Sequence, residues 1–253
     1  MGSVIQLRSR TDAVGNTQST YDAATAETIA RYSAVSLDED FIGPGHTTIP
    51  AAGSPASGYP WVQKTVKTGG SPSVAVIANY SGGAVRLALD ATSEKQEATL
   101  YANDELNWDM TKSAIFEARV AAHVVPGASV EVVFGLHSAW IDGPDNASYY
   151  ADFQMSGSGA VNFRTKDGVN TLSKAAGTTM AIDTFHNFRI DATDPTNIRF
   201  FVDGAEVSTP NQMSFAATGA NAVLQPYVSV YKASGTGTGT VDVDMVQAGM
   251  NRS

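Results

Sequence analysis

The chain has 253 residues, of which 43% are hydrophobic and 16% are charged, and its formal net charge is -9. This length is sufficient for one large domain with a sizeable core. The negative charge and the lack of any Lys and Arg cluster argue against nucleic-acid binding, because non-specific affinity for phosphates depends on such clusters. The sequence contains no cysteine, which excludes disulfides and thiolate metal sites.

The sequence predicts neither a secretory signal nor a membrane-spanning segment. Its N-terminal stretch, "MGSVIQLRSRTDAVGNTQST", lacks the apolar region of a signal peptide, and no apolar run is long enough to cross a bilayer. We therefore expect no membrane partner.

The first 36 residues differ in character from the rest. They are small and polar, with weak helical spacing at Ala26, Ile29 and Ala30. We interpret residues 1–36 as an extended N-terminal arm with at most one short helix, and residues 37–253 as one domain. A floppy terminus and an extension that orders against a partner are the two alternatives for the arm.

After the arm, ten segments have the composition or alternation of β-strands. They are "SVAVIAN", "AVRLALDA", "AIFEARVAAHVV", "SVEVVFGLH", "SYYADFQM", "AVNFRTK", "FHNFRID", "NIRFFVD", "LQPYVSVYK" and "TVDVDMVQ". Turn-rich stretches separate them. A succession of short, half-buried strands predicts an all-β sandwich or barrel.

The first predicted hairpin joins two of these strands across a Pro-Gly-Ala turn. Requiring the apolar residues to share one face pairs Val120 with Phe134. The same register places Glu117 opposite His137 on the polar face. Strands of this kind bury one face only.

Two further hairpins follow from the same requirement. One turns at Gly-Ser-Gly and places Asp152 opposite Arg164, and the other places Phe188 opposite Phe200. Antiparallel sheets with one apolar side stack those sides about 10 Å apart. The predicted fold class is therefore all-β, an antiparallel jelly-roll β-sandwich of about ten strands.

Several segments carry a resemblance to known folds. "TFHNFRIDATDPTNIRFFVDGAEV" resembles the late strands of concanavalin A-like and laminin G-like jelly rolls, and "AIFEARV" resembles an earlier strand. "AVRLALDATSEKQEATLYANDELNWDMTKSAIFEARV" resembles a segment of tailed-bacteriophage structural proteins that carry such a domain, including head decoration proteins. The resemblance covers roughly residues 39–248. It implies the fold more specifically than the role, because lectins, lyases, glycosidases and virion proteins share this architecture.

Paired carboxylates are the first catalytic pattern that such a fold suggests, because glycoside hydrolysis needs an acid and a base or nucleophile. Jelly-roll glycosidases of similar fold carry Glu-x-Asp-x-Glu along one strand face. The nearest segment here, "VDVDMV", offers Asp242 and Asp244 but has Val246 at the third position. We interpret this pair as part of a solvated polar face.

Polysaccharide lyases of similar fold are expected to show an Arg-Glu strand, a Gln-x-His motif and a Tyr near a Lys. In "FEARV", Glu117 and Arg119 are predicted to share a face with His123 and His137, but no Gln-x-His accompanies them. Cross-strand ion pairs explain such a cluster without catalysis. We therefore predict no catalytic residues and a protein that is not an enzyme.

We predict no cofactor and no metal. Neither His-x-His nor His-Glu-x-x-His spacing occurs among the four histidines, which are His46, His123, His137 and His186. The loop "WIDGPDNAS" offers Asp142, Asp145 and Asn146 as oxygen ligands for the calcium that laminin G-like domains often hold. A plain polar turn is the alternative that we favour for this loop.

Exposed aromatic side chains beside polar groups are candidates for contact with a glycan or with another subunit. The residues in question are Trp140, Tyr149, Tyr150, Tyr227 and Tyr231.

Together, the pattern and the resemblance imply a non-enzymatic virion structural protein of a tailed phage, closest in kind to a capsid decoration protein. Such a protein would be made in the host cytoplasm and located on the particle surface. We expect other virion proteins as partners, the major capsid protein first among them, and self-association into a homo-oligomer. The alternative is a carbohydrate-binding or polysaccharide-degrading jelly roll, such as a tail-associated adhesin or lyase.

Overall fold

The computed structural model describes residues 10–11, 17–18, 34–41, 48–54 and 60–251. The first nine strands are β1 (Arg10–Thr11), β2 (Thr17–Gln18), β3 (Ala34–Glu39), β4 (Val62–Lys67), β5 (Ser73–Val76), β6 (Val85–Leu89), β7 (Gln96–Tyr101), β8 (Trp108–Asp109) and β9 (Ala114–Val124). The next nine are β10 (Val130–His137), β11 (Tyr149–Met155), β12 (Ala160–Asp167), β13 (Thr171–Thr179), β14 (His186–Ala192), β15 (Arg199–Val202), β16 (Ala205–Glu206), β17 (Val223–Lys232) and β18 (Gly239–Asn251).

Two antiparallel sheets form the body of the protein. The front sheet has the order β13-β12-β11-β10-β17-β7-β4, and β8 also pairs with β17. The back sheet has the order β16-β15-β14-β9-β18-β6-β5, and β3 also pairs with β18. This arrangement confirms the predicted antiparallel β-sandwich. In the part of the chain that the structure describes, helix is confined to three short 3-10 turns, at Pro144–Asn146, Gly157–Gly159 and Gly219–Ala222.

The core lies between the two sheets and is rich in aromatic rings. Phe153 of the front sheet contacts Phe188 and Phe200 of the back sheet, with ring centroids 5.0 Å and 5.3 Å apart. Phe134 contacts Phe188 at 4.7 Å. All four rings are fully buried. Because alternate residues of a strand point to opposite faces, each strand that supplies a ring to the core also supplies polar side chains to the outer surface.

The predicted hairpin between residues 116–122 and 132–136 is wrong. These residues belong to β9 and β10, which lie in different sheets, since β9 pairs with β14 and β18 while β10 pairs with β11 and β17. Val120 and Phe134 both point into the core, but from opposite sides. Glu117 and His137 consequently lie on opposite outer surfaces of the sandwich.

The other two hairpins are present in the structure. In the second, Asp152 lies opposite Arg164, as predicted. In the third, Phe188 lies opposite Val202 instead of Phe200, a shift of two residues. A shift of two keeps every apolar side chain on the same face, so alternation alone does not distinguish the two registers.

The predicted boundary of the arm falls inside a strand. Residues 34–36 belong to β3 and pair with the end of β18. Residues 10–11 and 17–18 form a separate two-stranded ladder. The predicted short helix around Ala26 lies outside the described residues, as does His46. Within the described ranges, no helix has the length and hydropathy needed to span a membrane.

We predict that Phe153→Ala lowers the free energy of unfolding by about 3 to 5 kcal/mol, because it leaves a cavity where the two sheets meet. Chemical denaturation measures this change. Val169→Ala is the control, since Val169 is 85% exposed and its truncation should cost less than about 0.5 kcal/mol. Equal effects of the two substitutions would contradict the placement of Phe153 in the core.

Candidate functional site

The outer face of the front sheet carries polar side chains that are buried. They are Glu97, Thr99, His137, Asp152, Arg164, Gln225 and Ser229. Residues 138–148, which join β10 to β11, make contacts with this face, and we call them the covering loop. We call the outer surface of the front sheet from β12 to β4 the covered face.

The backbone register arranges the covered face in rows that cross the strands. One row contains Arg164, Asp152, Gly135, Tyr227 and Tyr101, and another contains Glu131, Tyr231 and Glu97. Six strands spaced about 4.8 Å apart give the face a width of about 24 Å.

The centre of the covered face is an ion-pair network around Asp152. Arg164 donates Nε to Oδ1 of Asp152 at 2.8 Å and Nη2 to Oδ2 at 2.7 Å. His137 Nε2 lies 2.8 Å from the same Oδ2. Burial alone would raise the pKa of Asp152, but Arg164 and His137 outweigh it and hold the pKa of this carboxyl below its ordinary value.

A glycine on β10 allows this network to form. A Cβ at Gly135 would lie 2.6 Å from Cα of Asp152 and 2.3 Å from the carbonyl oxygen of Ala151. Contacts this short do not occur between a real Cβ and backbone atoms. Any other residue at this position would force β10 and β11 apart and disturb the pairing of Asp152.

The His137 ring lies between two tyrosines. Its centroid is 5.2 Å from that of Tyr150 and 4.5 Å from that of Tyr227, and both rings stack on it. Burial raises the pKa of Tyr150 to about 12 and raises that of Tyr227 as well. Both phenols are therefore neutral at physiological pH and can donate hydrogen bonds.

Glu97 anchors the covering loop on the sheet. Its Oε1 accepts hydrogen bonds from Nε1 of Trp140 at 2.9 Å and from the hydroxyl of Tyr227 at 3.2 Å. Its Oε2 accepts from the backbone N–H of Gly143 at 3.3 Å. The ammonium of Lys64 lies 3.3 Å from the centroid of the Trp140 ring, which fixes this side chain from above.

The three oxygen ligands considered for calcium do not converge. Asp142 pairs with Lys95 at 2.5 Å, whereas Asp145 pairs with Nη1 of Arg164 at 2.5 Å. The side-chain amide of Asn146 donates to the backbone carbonyl of Asp142 at 2.7 Å. The two carboxylates thus attach the loop to the rest of the sheet, and the amide of Asn146 forms a hydrogen bond within the loop.

Glu131 is the carboxyl with the most unusual environment on the covered face. Burial, together with the neighbouring Asp145 carboxylate, raises its pKa to about 7. Gln154 donates a hydrogen bond to its Oε2 at 2.8 Å. Sequence reasoning missed this residue, because the predicted pairing of β9 with β10 gave Glu131 the wrong neighbours.

Four of the five aromatic candidates gather on the covered face. Trp140 lies in the covering loop, while Tyr150, Tyr227 and Tyr231 point outward from β11 and β17. Tyr149 points to the opposite side of β11 and packs against the core. It is therefore not part of this surface.

The outer face of the back sheet carries a different set of charges. Arg86 donates to both carboxylate oxygens of Asp242 at 2.7 Å, and Asp244 pairs with Arg119. The two aspartates that were weighed as a catalytic pair are thus each held by an arginine. This agrees with their interpretation as part of a polar face.

His123, Asp183 and Asp242 bring one possible metal-ligand atom each within 4.8 Å of one another. His123 Nδ1 lies 2.6 Å from Oδ1 of Asp183. Asp242, however, already has both oxygens engaged by Arg86. Ion pairing accounts for this cluster without a metal.

Comparison with solved structures places the fold among the β-sandwiches of the concanavalin A-like jelly-roll type. A protein of unknown function from Shewanella oneidensis is 8% identical with a TM-score of 0.60, over 93% of this chain and 97% of that one. An endo-β-1,4-glucuronan lyase from Trichoderma reesei is 13% identical with a TM-score of 0.53, over 74% and 90%. A β-1,3-1,4-glucanase from a mouse hindgut metagenome is 13% identical with a TM-score of 0.54, over 85% and 98%.

No protein-family model and no curated protein sequence matches the chain. At these identities the structural likeness establishes the fold alone. The prediction that the protein is not an enzyme is contradicted by its structural neighbours, which include a lyase, a glycosidic hydrolase and glucanases. The sequence argument looked for catalytic groups along β9 and β18 and did not consider Glu131 or the ion-pair network around Asp152 on the covered face.

We predict that Glu131→Gln stabilises the protein at about pH 8 and has little effect at about pH 4.5. The folded-state pKa of Glu131 is raised from an ordinary value of 4.5 to about 7. Ionisation of this carboxyl therefore lowers the free energy of unfolding progressively as the pH rises from about 4.5 to about 7. Glutamine cannot ionise, so the variant does not lose this stability. Thermal unfolding across the pH range measures it, with Glu105→Gln at an exposed position as the control, and a variant less stable than wild type at about pH 8 would contradict the burial of this carboxyl.

Proposed function

We propose that this protein binds a polysaccharide on the covered face and cleaves it, with Glu131 as the proton donor to the leaving oxygen. The observation that carries the proposal is the position of Glu131, a partly buried carboxyl beside Tyr231 and Gln154 on an aromatic-lined sheet face, where burial and Asp145 raise its pKa to about 7. A general acid is most effective when its pKa lies near the working pH. Perturbed ionisable groups concentrate at functional sites for this reason.

The surroundings of Glu131 support binding of a sugar chain. Tyr231 is its direct neighbour across the ladder, and Gln154 donates a hydrogen bond to it. Sugars pack their apolar faces on aromatic rings and hydrogen-bond with amide and carboxyl groups. The glucuronan lyase and the glucanase of similar fold act, by their names, on polysaccharides.

Two reactions are compatible with a proton donor at this position. In hydrolysis, water adds to the sugar carbon as the glycosidic bond breaks, the leaving oxygen takes the proton of Glu131, and the proton that the water loses returns to the Glu131 carboxylate through solvent. In elimination, a base removes the proton from the sugar carbon that bears the carboxylate. A double bond then forms between this carbon and the next one as the bond to the leaving oxygen breaks, and the leaving oxygen again takes the proton of Glu131. His137 lies six residues along β10, about 20 Å of strand, and is buried between two tyrosines, so it does not act on the bond that Glu131 serves.

Association with a phage particle is a separate prediction, which rests on the resemblance of residues 84–120. Among phage proteins, a tail-associated adhesin or lyase would be expected to bind a polysaccharide on the covered face. Immunogold labelling of purified particles tests the location independently of the catalytic assay.

We expect the purified protein to depolymerise at least one polymer in a panel of β-glucans and polyuronates. Reducing ends report any cleavage, and ultraviolet absorbance of the unsaturated product separates elimination from hydrolysis. Glu131→Gln should lower the rate by about 10²- to 10⁴-fold, because it removes the proton donor. Loss of folding does not explain such an effect, since this variant is expected to be the more stable protein at neutral and higher pH.

Glu105→Gln serves as the matched control and should retain the wild-type rate. Wild-type activity in the Glu131→Gln variant would assign catalysis to another group. The absence of both binding and cleavage across the whole panel would refute the proposed function.

A further inference from the structure

The guanidinium of Arg164 has a buried side and an outward side. Its Nε and Nη2 are locked in the bidentate pair with Asp152, which is fully buried. Its Nη1 donates instead to Asp145, whose side chain is 54% exposed. One nitrogen of a nearly buried arginine is therefore held only by an exposed carboxylate of the covering loop.

The groups around Asp145 form a receptor for a carboxylate. The ammonium of Lys166 donates to the backbone carbonyl of Asp145 at 3.2 Å. Both cations lie over the ring of Tyr150, with Arg164 at 4.9 Å and Lys166 at 5.8 Å from its centroid. Two cations above an aromatic platform provide charge, hydrogen-bond donors and a flat apolar surface in one place.

The rest of the covering loop is attached by separate contacts. Asp142 pairs with Lys95, and Trp140 is held by Glu97. The attachment of the loop at Asp142 and Trp140 therefore does not depend on the contact between Asp145 and Arg164. A uronate carboxylate that binds Nη1 of Arg164 has to displace the Asp145 carboxylate from it, whereas a neutral sugar chain has no group that competes for this contact.

We propose that Asp145 occupies the place of a substrate carboxylate, and that the protein therefore selects uronate-containing polysaccharides over neutral glucans. This inference rests on the proposed function and narrows it to one chemical class of ligand. Asp145 competes with the substrate for Arg164 from within the same chain, so the affinity measured in the wild type is lowered by the fraction of molecules in which the loop is closed.

The experiment compares two oligosaccharides that differ only in the group in question. β-1,4-linked oligoglucuronate carries a carboxylate where β-1,4-linked oligoglucose carries a hydroxymethyl group. Calorimetry or fluorescence titration gives a dissociation constant for each. We expect the wild type to prefer the uronate and its binding to weaken as salt is added, because the discriminating contact is between charges.

Asp145→Asn should tighten uronate binding about 5-fold, the equivalent of one partly exposed ion pair, and leave glucose binding unchanged. Lys166→Gln should weaken uronate binding alone. Asp142→Asn is the matched control: it breaks the other ion pair of the same loop, with Lys95, and leaves the Asp145 contact with Arg164 in place. It should not alter the ratio of the two affinities.

Each outcome decides the question. Equal tightening of both ligands by Asp145→Asn and Asp142→Asn would show a simple lid and would overturn the carboxylate mimicry. Binding of neutral oligosaccharide without preference for uronate would overturn the inference while the proposed function stands. Failure to bind either oligosaccharide, together with inactivity on the polymer panel, would refute the proposed function itself.

Discussion

A fully buried carboxylate has to be neutralised by its neighbours, and Asp152 imposes this constraint on the whole front sheet. It has no solvent exposure, and Arg164 and His137 together supply three contacts to it. Removing one partner of such a pair leaves an uncompensated charge and costs several kcal/mol. The position of Asp152 therefore fixes the register of β11 and β12, and the close approach of β10 at Gly135.

The two outer faces of the sandwich differ in how far their ion pairs are shielded from water. On the back sheet, the arginines that pair with Asp242 and Asp244 keep 35% and 41% of their side chains exposed, although both aspartates are largely buried. On the front sheet, the covering loop removes the polar groups from solvent. Apolar side chains of similar size would serve a purely structural face at least as well. The retention of buried charges beneath a loop therefore favours a binding or catalytic role for the covered face.

Sequence reasoning succeeded where the constraint is local. The strands of the β11–β12 hairpin are joined by a short Gly-Ser-Gly turn, and the charge pairing of Asp152 with Arg164 follows directly from the register. It failed for β9 and β10, because apolar alternation reads the same whether two strands pair within one sheet or face each other across the core. The Pro-Gly-Ala turn between them carries the chain from one sheet to the other, and this misassignment concealed the environment of Glu131.

The covering loop also connects the protonation of Glu131 with ligand binding, through Asp145. Glu131 owes its raised pKa first to burial and then to the negative charge of Asp145. Displacement of Asp145 without a replacement charge would remove part of the effect that keeps this carboxyl protonated. A uronate that takes the place of Asp145 at Arg164 restores a carboxylate beside Glu131. On the proposed mechanism, the same exchange that selects an acidic ligand also maintains the proton donor in its acid form, so recognition and readiness for cleavage depend on one position.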